Sequence, residues 1–207
     1  MLGKAAVAMW WDVAPQMRAE WEDWHSSEHM PERLAIPGFL RGTRWIAVSG
    51  EPSYFTLYEV ADLATTTGGA YLERLNNPTP WSRKMMPHHR NIVRSLCALR
   101  AGWGGGLPQV LATVRFSPRA GALPKLPRRK GLTGAHLLES QPMAGVPQTA
   151  EQRIRGGADG TADWVLLVGG YDVSAVNAVV ADELGAQPER IIGVYRPAYS
   201  LSPGEIS

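Results

Sequence analysis

Cysteine is almost absent: Cys97 is the only one in 207 residues. A single thiol cannot close an internal disulfide or build a cysteine-based zinc cage, and its expected place is a small buried position on a strand. Long apolar runs are absent too. No stretch reaches the roughly 20 residues of a membrane span, and Asp12 breaks the first apolar run, so no secretory signal is evident and a cytoplasmic protein is expected. Neither sign of charge prevails. Lys and Arg number 21 against 19 Asp and Glu, a net charge of +2 that gives no reason to expect a nucleic-acid partner. A phosphate-binding fingerprint is missing, because residues 102–106 lack both the strand-turn-helix setting and the Lys-Ser/Thr ending. Phenylalanine is scarce, 3 residues against 8 Trp. Trp offers a wide flat face and one donor, which suits a core or a pocket for a flat ligand. What is present in ordinary amount is the material of a fold: 44% hydrophobic and 19% charged residues can bury a core.

Hydrophobic patterning divides the chain into elements. Residues 4–13 read as a buried strand and 15–30 as a helix with Met17, Trp21 and Trp24 along its apolar stripe, ended by Pro31 and by Pro37-Gly38. Residues 39–48 and 54–60 read as strands joined by the turn at 50–53, residues 69–76 as a second helix continuing irregularly through 81–89, and residues 91–100 as a further strand. This order is β-α-β-β-α-β, the ferredoxin-like plan. A Gly-rich linker at 102–108 follows, and then the pattern restarts with strands at 109–116, 131–139, 163–171 and 190–201 and a helix at 173–184. Residues 118–130, rich in Pro, Arg and Lys, replace the expected first helix, and 141–161 read as a long hairpin loop. The expected fold class is therefore α+β. Two ferredoxin-like halves (1–101 and 109–207, the second degenerate) bury their open sheet faces against each other as a barrel within one chain.

The decapeptide 24–33 concentrates the chemistry: Trp24-His25-Ser26-Ser27-Glu28-His29-Met30-Pro31-Glu32-Arg33. On a wheel of about 100° per residue Glu28 falls near the centre of the apolar stripe, with His25 about 70° and His29 about 110° away. A carboxylate pointing inward needs a partner or a proton, and Arg41, Arg44 or Tyr58 can serve. His25 and His29, four residues apart, can reach one point in space and suit proton transfer near neutral pH. The plainer alternative is structural, with Glu28 tying down the helix end and His29 favouring its dipole. The spelling His25-x-x-Glu28-His29 also matches a metalloprotease motif. The early helix end and small halves argue against it, and a different metal site using His25, His29 and His88 or His89 is a minor alternative.

The run from His25 to Glu32, then Pro37-Gly38-Phe39, Arg41-Gly42-Thr43-Arg44-Trp45 and Tyr54 to Glu59, resembles the EthD-like branch of the dimeric α/β-barrel proteins. The resemblance covers about residues 4–100, and the second half has no second Glu-His-x-Pro. It implies a ferredoxin-like barrel with a pocket between sheet and helices. Its members include small cyclases, isomerases and monooxygenases, so it implies fold better than reaction.

The favoured reading is an enzyme acting without cofactor or metal on a small aromatic or polyketide-like molecule by acid/base chemistry. His25, Glu28 and His29 are its catalytic candidates. Trp10, Trp24, Arg44, Tyr58 and His88 are its candidates for contact with substrate. The competing readings are a non-catalytic binder of a small organic ligand and a haem-linked or monooxygenase-type member. His136 is expected to be structural, and the basic residues Arg115, Arg119, Lys125, Arg128, Arg129 and Lys130 to form a solvated loop rather than a nucleic-acid site. No membrane partner is expected, and self-association through barrel sheets or outer faces is open.

Overall fold

Strand alternation sets one face of each strand inward and one outward, and eight such strands close into a barrel. The computed structural model describes residues 1–117, 123–141, 148–156, 159–184 and 189–206. In the first half β1 (Ala5–Val13), β2 (Phe39–Ser49), β3 (Tyr54–Val60) and β4 (His89–Gly104) lie in the order β4-β1-β3-β2. In the second, β5 (Val110–Phe116), β6 (Leu132–Ser140), β7 (Trp164–Gly170) and β8 (Ile191–Leu201) lie in the order β8-β5-β7-β6. The two orders match position for position. Antiparallel pairing of β2 with β8 and of β4 with β6 joins the halves and leaves no open edge. The fold is thus α+β, a closed eight-stranded barrel of two ferredoxin-like halves.

The barrel interior is packed with side chains. Ala6, Ala8 and Trp10 of β1 meet Phe55, Leu57, Leu111, Leu138, Leu167 and Tyr195 there. Cys97 is also inside, fully buried, and burial pushes its thiol up to about 12. The opposite face of β1 (Val7, Met9, Trp11, Val13) packs under the first half's helices.

Three expectations need correction. The first helix does not stop at Pro31. It runs as α1 (Arg18–Trp24), a π turn (His25–His29) and α2 (Met30–Leu34), with Met30 N–H bonded five residues back to the His25 carbonyl. Pro31 sits at the start of the α turn that follows, where a missing N–H is tolerated. β4 extends to Gly104, where Gly102, Trp103 and Gly104 pair with β6, so the link between halves begins only at Gly105. The stretch 141–161 is not simply a loop, since it contains α5 (Ala150–Ile154). Its residues 142–147 and 157–158, like Arg119 and its neighbours 118–122, lie outside the described residues. The remaining helices are α3 (Gly69–Asn76), α4 (Pro80–Met85) and α6 (Val173–Val179), the last followed by a π turn (Val180–Leu184). Among the described residues no helix is long and apolar enough to cross a membrane.

Candidate functional site

The π turn decides which side chains of the first helix face the sheet. It takes an extra residue per turn, so every position after Trp24 is rotated from its place on a regular wheel. His25 becomes buried, at 2% exposure, and stacks on Trp21 with ring centroids 4.8 Å apart. His29 lies against Trp24 at 4.5 Å and 5.6 Å from the His25 ring. Glu28, expected inward, swings to the flank. Its Oε1 accepts from Thr79 Oγ1 at 2.6 Å and from Trp24 Nε1 at 3.1 Å, which ties the helix to the start of α4. Among the described residues Glu28 has no hydrogen bond to either histidine, and it does not line the cavity beside them.

That cavity lies between the outer face of the first-half sheet and its helices. His25, His29, His89, Trp11, Trp24, Tyr58, Arg33, Arg94, Glu151 and Arg155 contribute its polar and aromatic lining. Glu151 and Arg155 come from the second half, carried by α5 and the residue after it.

Hydrogen bonding fixes two of the three imidazoles as neutral. His89 faces the Met86 carbonyl through Nδ1 at 3.0 Å and the Trp21 indole N–H through Nε2 at 3.1 Å. A carbonyl only accepts and an indole only donates, so His89 carries its proton on Nδ1 and has no lone pair to spare. Burial, reinforced by the Arg155 charge, pushes it down to about 3. Arg44 Nη1 approaches His25 Nδ1 at 3.4 Å and the Glu22 carbonyl at 3.0 Å. Guanidinium has only donors, which leaves the His25 proton on Nε2. His25 is held well below the usual histidine range by burial and by Arg44, and His29 by burial and by Arg33. His29 differs in that its Nδ1 is buried without a hydrogen-bond partner.

Among the described residues it is one of five buried polar atoms without hydrogen-bond partners that belong to residues lining this cavity, with Trp11 Nε1, Arg33 Nη1, Tyr58 Oη and Arg155 Nε. Each such atom costs about 1–3 kcal/mol, so their clustering calls for an explanation. Three can only donate, Tyr58 keeps its proton and so can donate because burial raises its hydroxyl above the ordinary range, and His29 can accept. Gly42 makes room for the Tyr58 ring, because a Cβ there would lie 2.9 Å from Tyr58 Cε1. Arg94 donates to Tyr71 Oη at 2.8 Å and, among the described lining residues, adds a third cation against one carboxylate, Glu151. The arrangement favours a ligand with acceptor oxygens or developing negative charge.

Of the residues singled out from sequence, His25, His29, Trp24 and Tyr58 meet at this cavity, and Arg44 touches it through His25. Trp10 does not. It lies inside the barrel, stacked on Phe55 at 4.8 Å, with its indole N–H donating to Thr113 Oγ1 at 3.1 Å. Its neighbour Trp11 takes the cavity face. His88 is likewise displaced by His89, since β4 begins at that residue and turns its ring toward the helices. Arg33, Arg94, Tyr71, Glu151 and Arg155 carried no sequence signal of their own. Among the described residues no group of three or more His, Cys, Asp or Glu is arranged to hold a metal ion.

No protein-family model and no curated protein matches the sequence. Solved structures do match by fold. An anthrone oxidase-like protein is 10% identical, with 98% of this chain and 94% of that one covered at a TM-score of 0.61. A candidate monooxygenase from Lactobacillus acidophilus NCFM is 7% identical, with 97% of each chain covered at 0.53. A candidate chlorite dismutase is 13% identical, with 99% and 98% covered at 0.50. At such identities the likeness is one of fold: this chain has the fold of the dimeric α/β-barrel proteins.

Proposed function

We propose that this chain is a cofactor-independent enzyme that takes a proton from a small planar molecule bearing a phenolic or enolic hydroxyl. The observation that carries the reading is that five unpartnered buried polar atoms belong to residues lining one cavity, together with neutral histidines and tryptophans. His29 is the base. Its depressed proton affinity keeps the ring neutral near pH 7 and therefore able to accept. The oxyanion left on the ligand then supplies the counter-charge that burial denies to the imidazolium. Arg33 and Tyr58 receive that oxyanion through their free donors. Trp11 and Trp24 hold the planar ring, while His25 and Arg44 are positioning residues behind His29. Glu28 has a structural role in this reading.

Two of the fold neighbours, an anthrone oxidase-like protein and a candidate monooxygenase, favour a second, oxygen-using reading, in which the anion formed beside His29 goes on to react with dioxygen. Affiliation with the EthD-like branch rests on the Glu28-His29-Met30-Pro31 segment and belongs with the same proposal. Self-association, if it occurs, uses outer faces, because the barrel is already closed.

A thermal-shift screen with phenols, enols and aromatic acids tests this, followed by turnover and oxygen-uptake assays on each stabilising compound. The expected result is stabilisation by hydroxyl-bearing planar compounds in both wild type and His29→Gln, with turnover lost only in the variant. Stabilisation without turnover in either protein supports a binder instead. Oxygen uptake separates the two enzymatic readings.

A further inference from the structure

The cavity of the first half is shut by a piece of the second. Glu151 on α5 is 3% exposed and bonds Arg33 Nη2, with Arg155 Nη1 at 3.7 Å. It is the only carboxylate among the described residues that line the cavity, against Arg33, Arg94 and Arg155. Five residues of helix are too few to be stable alone. The capping box of Thr149 and Gln152 is internal to α5, and the other polar tie to the first half is Ala150 N–H to Asn76 Oδ1 at 3.0 Å. Behind α5 the free volume is about 30 Å³. That holds one or two waters, whereas a cavity of about 150 Å³ is needed for benzene. A planar ligand therefore enters only if part of the lining moves. The sheet face and the helix carrying His25 and His29 are locked by Trp11, Trp21, Trp24 and Met86. α5 is held by the Glu151 carboxylate on the Arg33 guanidinium, by Ala150 N–H on Asn76 and by Ile154, its one side chain packed on that cluster, while Arg155 after it pairs with Asp159 at 2.7 Å.

We infer that α5 is a latch in which Glu151 occupies the place of a ligand carboxylate, so that the natural ligand bears a carboxylate as well as the reactive hydroxyl. Exchange of one carboxylate for another on Arg33 keeps the buried cation paired, while expulsion of Glu151 by an uncharged ligand leaves it bare. This rests on the proposed use of the cavity as a ligand site, and it adds the substrate class and the route of entry.

The test compares 6-hydroxy-2-naphthoate with 2-naphthol, which differ only by the carboxylate, as calorimetric probes of wild type and Glu151→Gln. The variant is expected to bind the naphthoate about tenfold more tightly than wild type, and wild type is expected to prefer the naphthoate over naphthol. In wild type the naphthoate is expected to speed amide hydrogen exchange across Ala150–Ile154. Equal or weaker naphthoate binding by Glu151→Gln, slower exchange in α5, or no binding of the naphthoate at all overturns the latch. If Glu151→Gln fails to fold, the exchange measurement on wild type decides alone. Neither readout depends on turnover. A latch that passes while His29→Gln keeps full proton transfer sinks the catalytic reading and not the latch; the reverse pattern sinks the latch alone.

Discussion

His25, His29 and His89 are all held uncharged inside the protein, and this has a consequence for stability. In the unfolded chain each takes up a proton near pH 6.5. In the fold His25 and His29 do so only well below that, and His89 at about 3. Below pH 6.5 the unfolded state thus binds more protons, so their contribution is complete above that pH and is lost as pH falls toward the folded values. A fully buried group adds up to about 1.4 kcal/mol per pH unit. Urea midpoints are expected to drop between pH 7 and pH 5, and His25→Gln is expected to flatten that slope by about one proton's worth relative to wild type. An unchanged slope contradicts the neutral assignment of His25. Glu28 makes a different prediction. Because its carboxylate bridges Thr79 and Trp24, Glu28→Ala should cost about 1–3 kcal/mol in urea unfolding. It should leave ligand-induced thermal shifts intact, whereas a role in the chemistry predicts loss of activity at unchanged stability.

The π turn is what separates the legible part of the site from the rest. Alternation of apolar residues made all eight strands readable, because a period of two leaves little ambiguity. The apolar stripe also announced the first helix. Nothing in that stripe encodes an extra residue per turn, so a regular wheel sent Glu28 inward and left His29 at the margin. Pro31 then read as a stop, which hid Arg33 on the continuation. A period of two sends the neighbours Trp10 and Trp11 to opposite faces of β1, but only the closed barrel assigns Trp11 to the helices. Glu151 and Arg155 were unreadable because long-range packing of α5 brings them to the site. Deleting the exposed residue Ser27 tests the role of the turn. The helix should become regular with stability kept, since π turns behave as single-residue insertions. His29, which follows the deletion, then holds on a regular helix the place the extra residue had given it, so it should stay at the cavity and its NMR titration midpoint should remain below 6.5. A midpoint that rises to 6.5 contradicts the proposed role of the turn.

At the scale of the molecule, the halves share one closed sheet, and a residue pair across them, Arg33 with Glu151, seals the site. Neither half has an edge to spare, so urea unfolding should be a single transition with coincident fluorescence and circular dichroism midpoints; two separated transitions contradict a shared core. The division of labour follows from the same geometry: the first half carries His29 and its donors, while the second supplies the sheet partner and the cover. The most direct measurement of the central claim is the absorption spectrum of bound 2-naphthol, a weak acid that is neutral in solution near pH 7. If His29 takes the proton and Arg33 and Tyr58 hold the oxyanion, the wild-type complex shows the naphtholate band, and His29→Gln binds the same compound as neutral naphthol. A neutral spectrum in the wild-type complex, or a naphtholate band that persists in His29→Gln, contradicts the account.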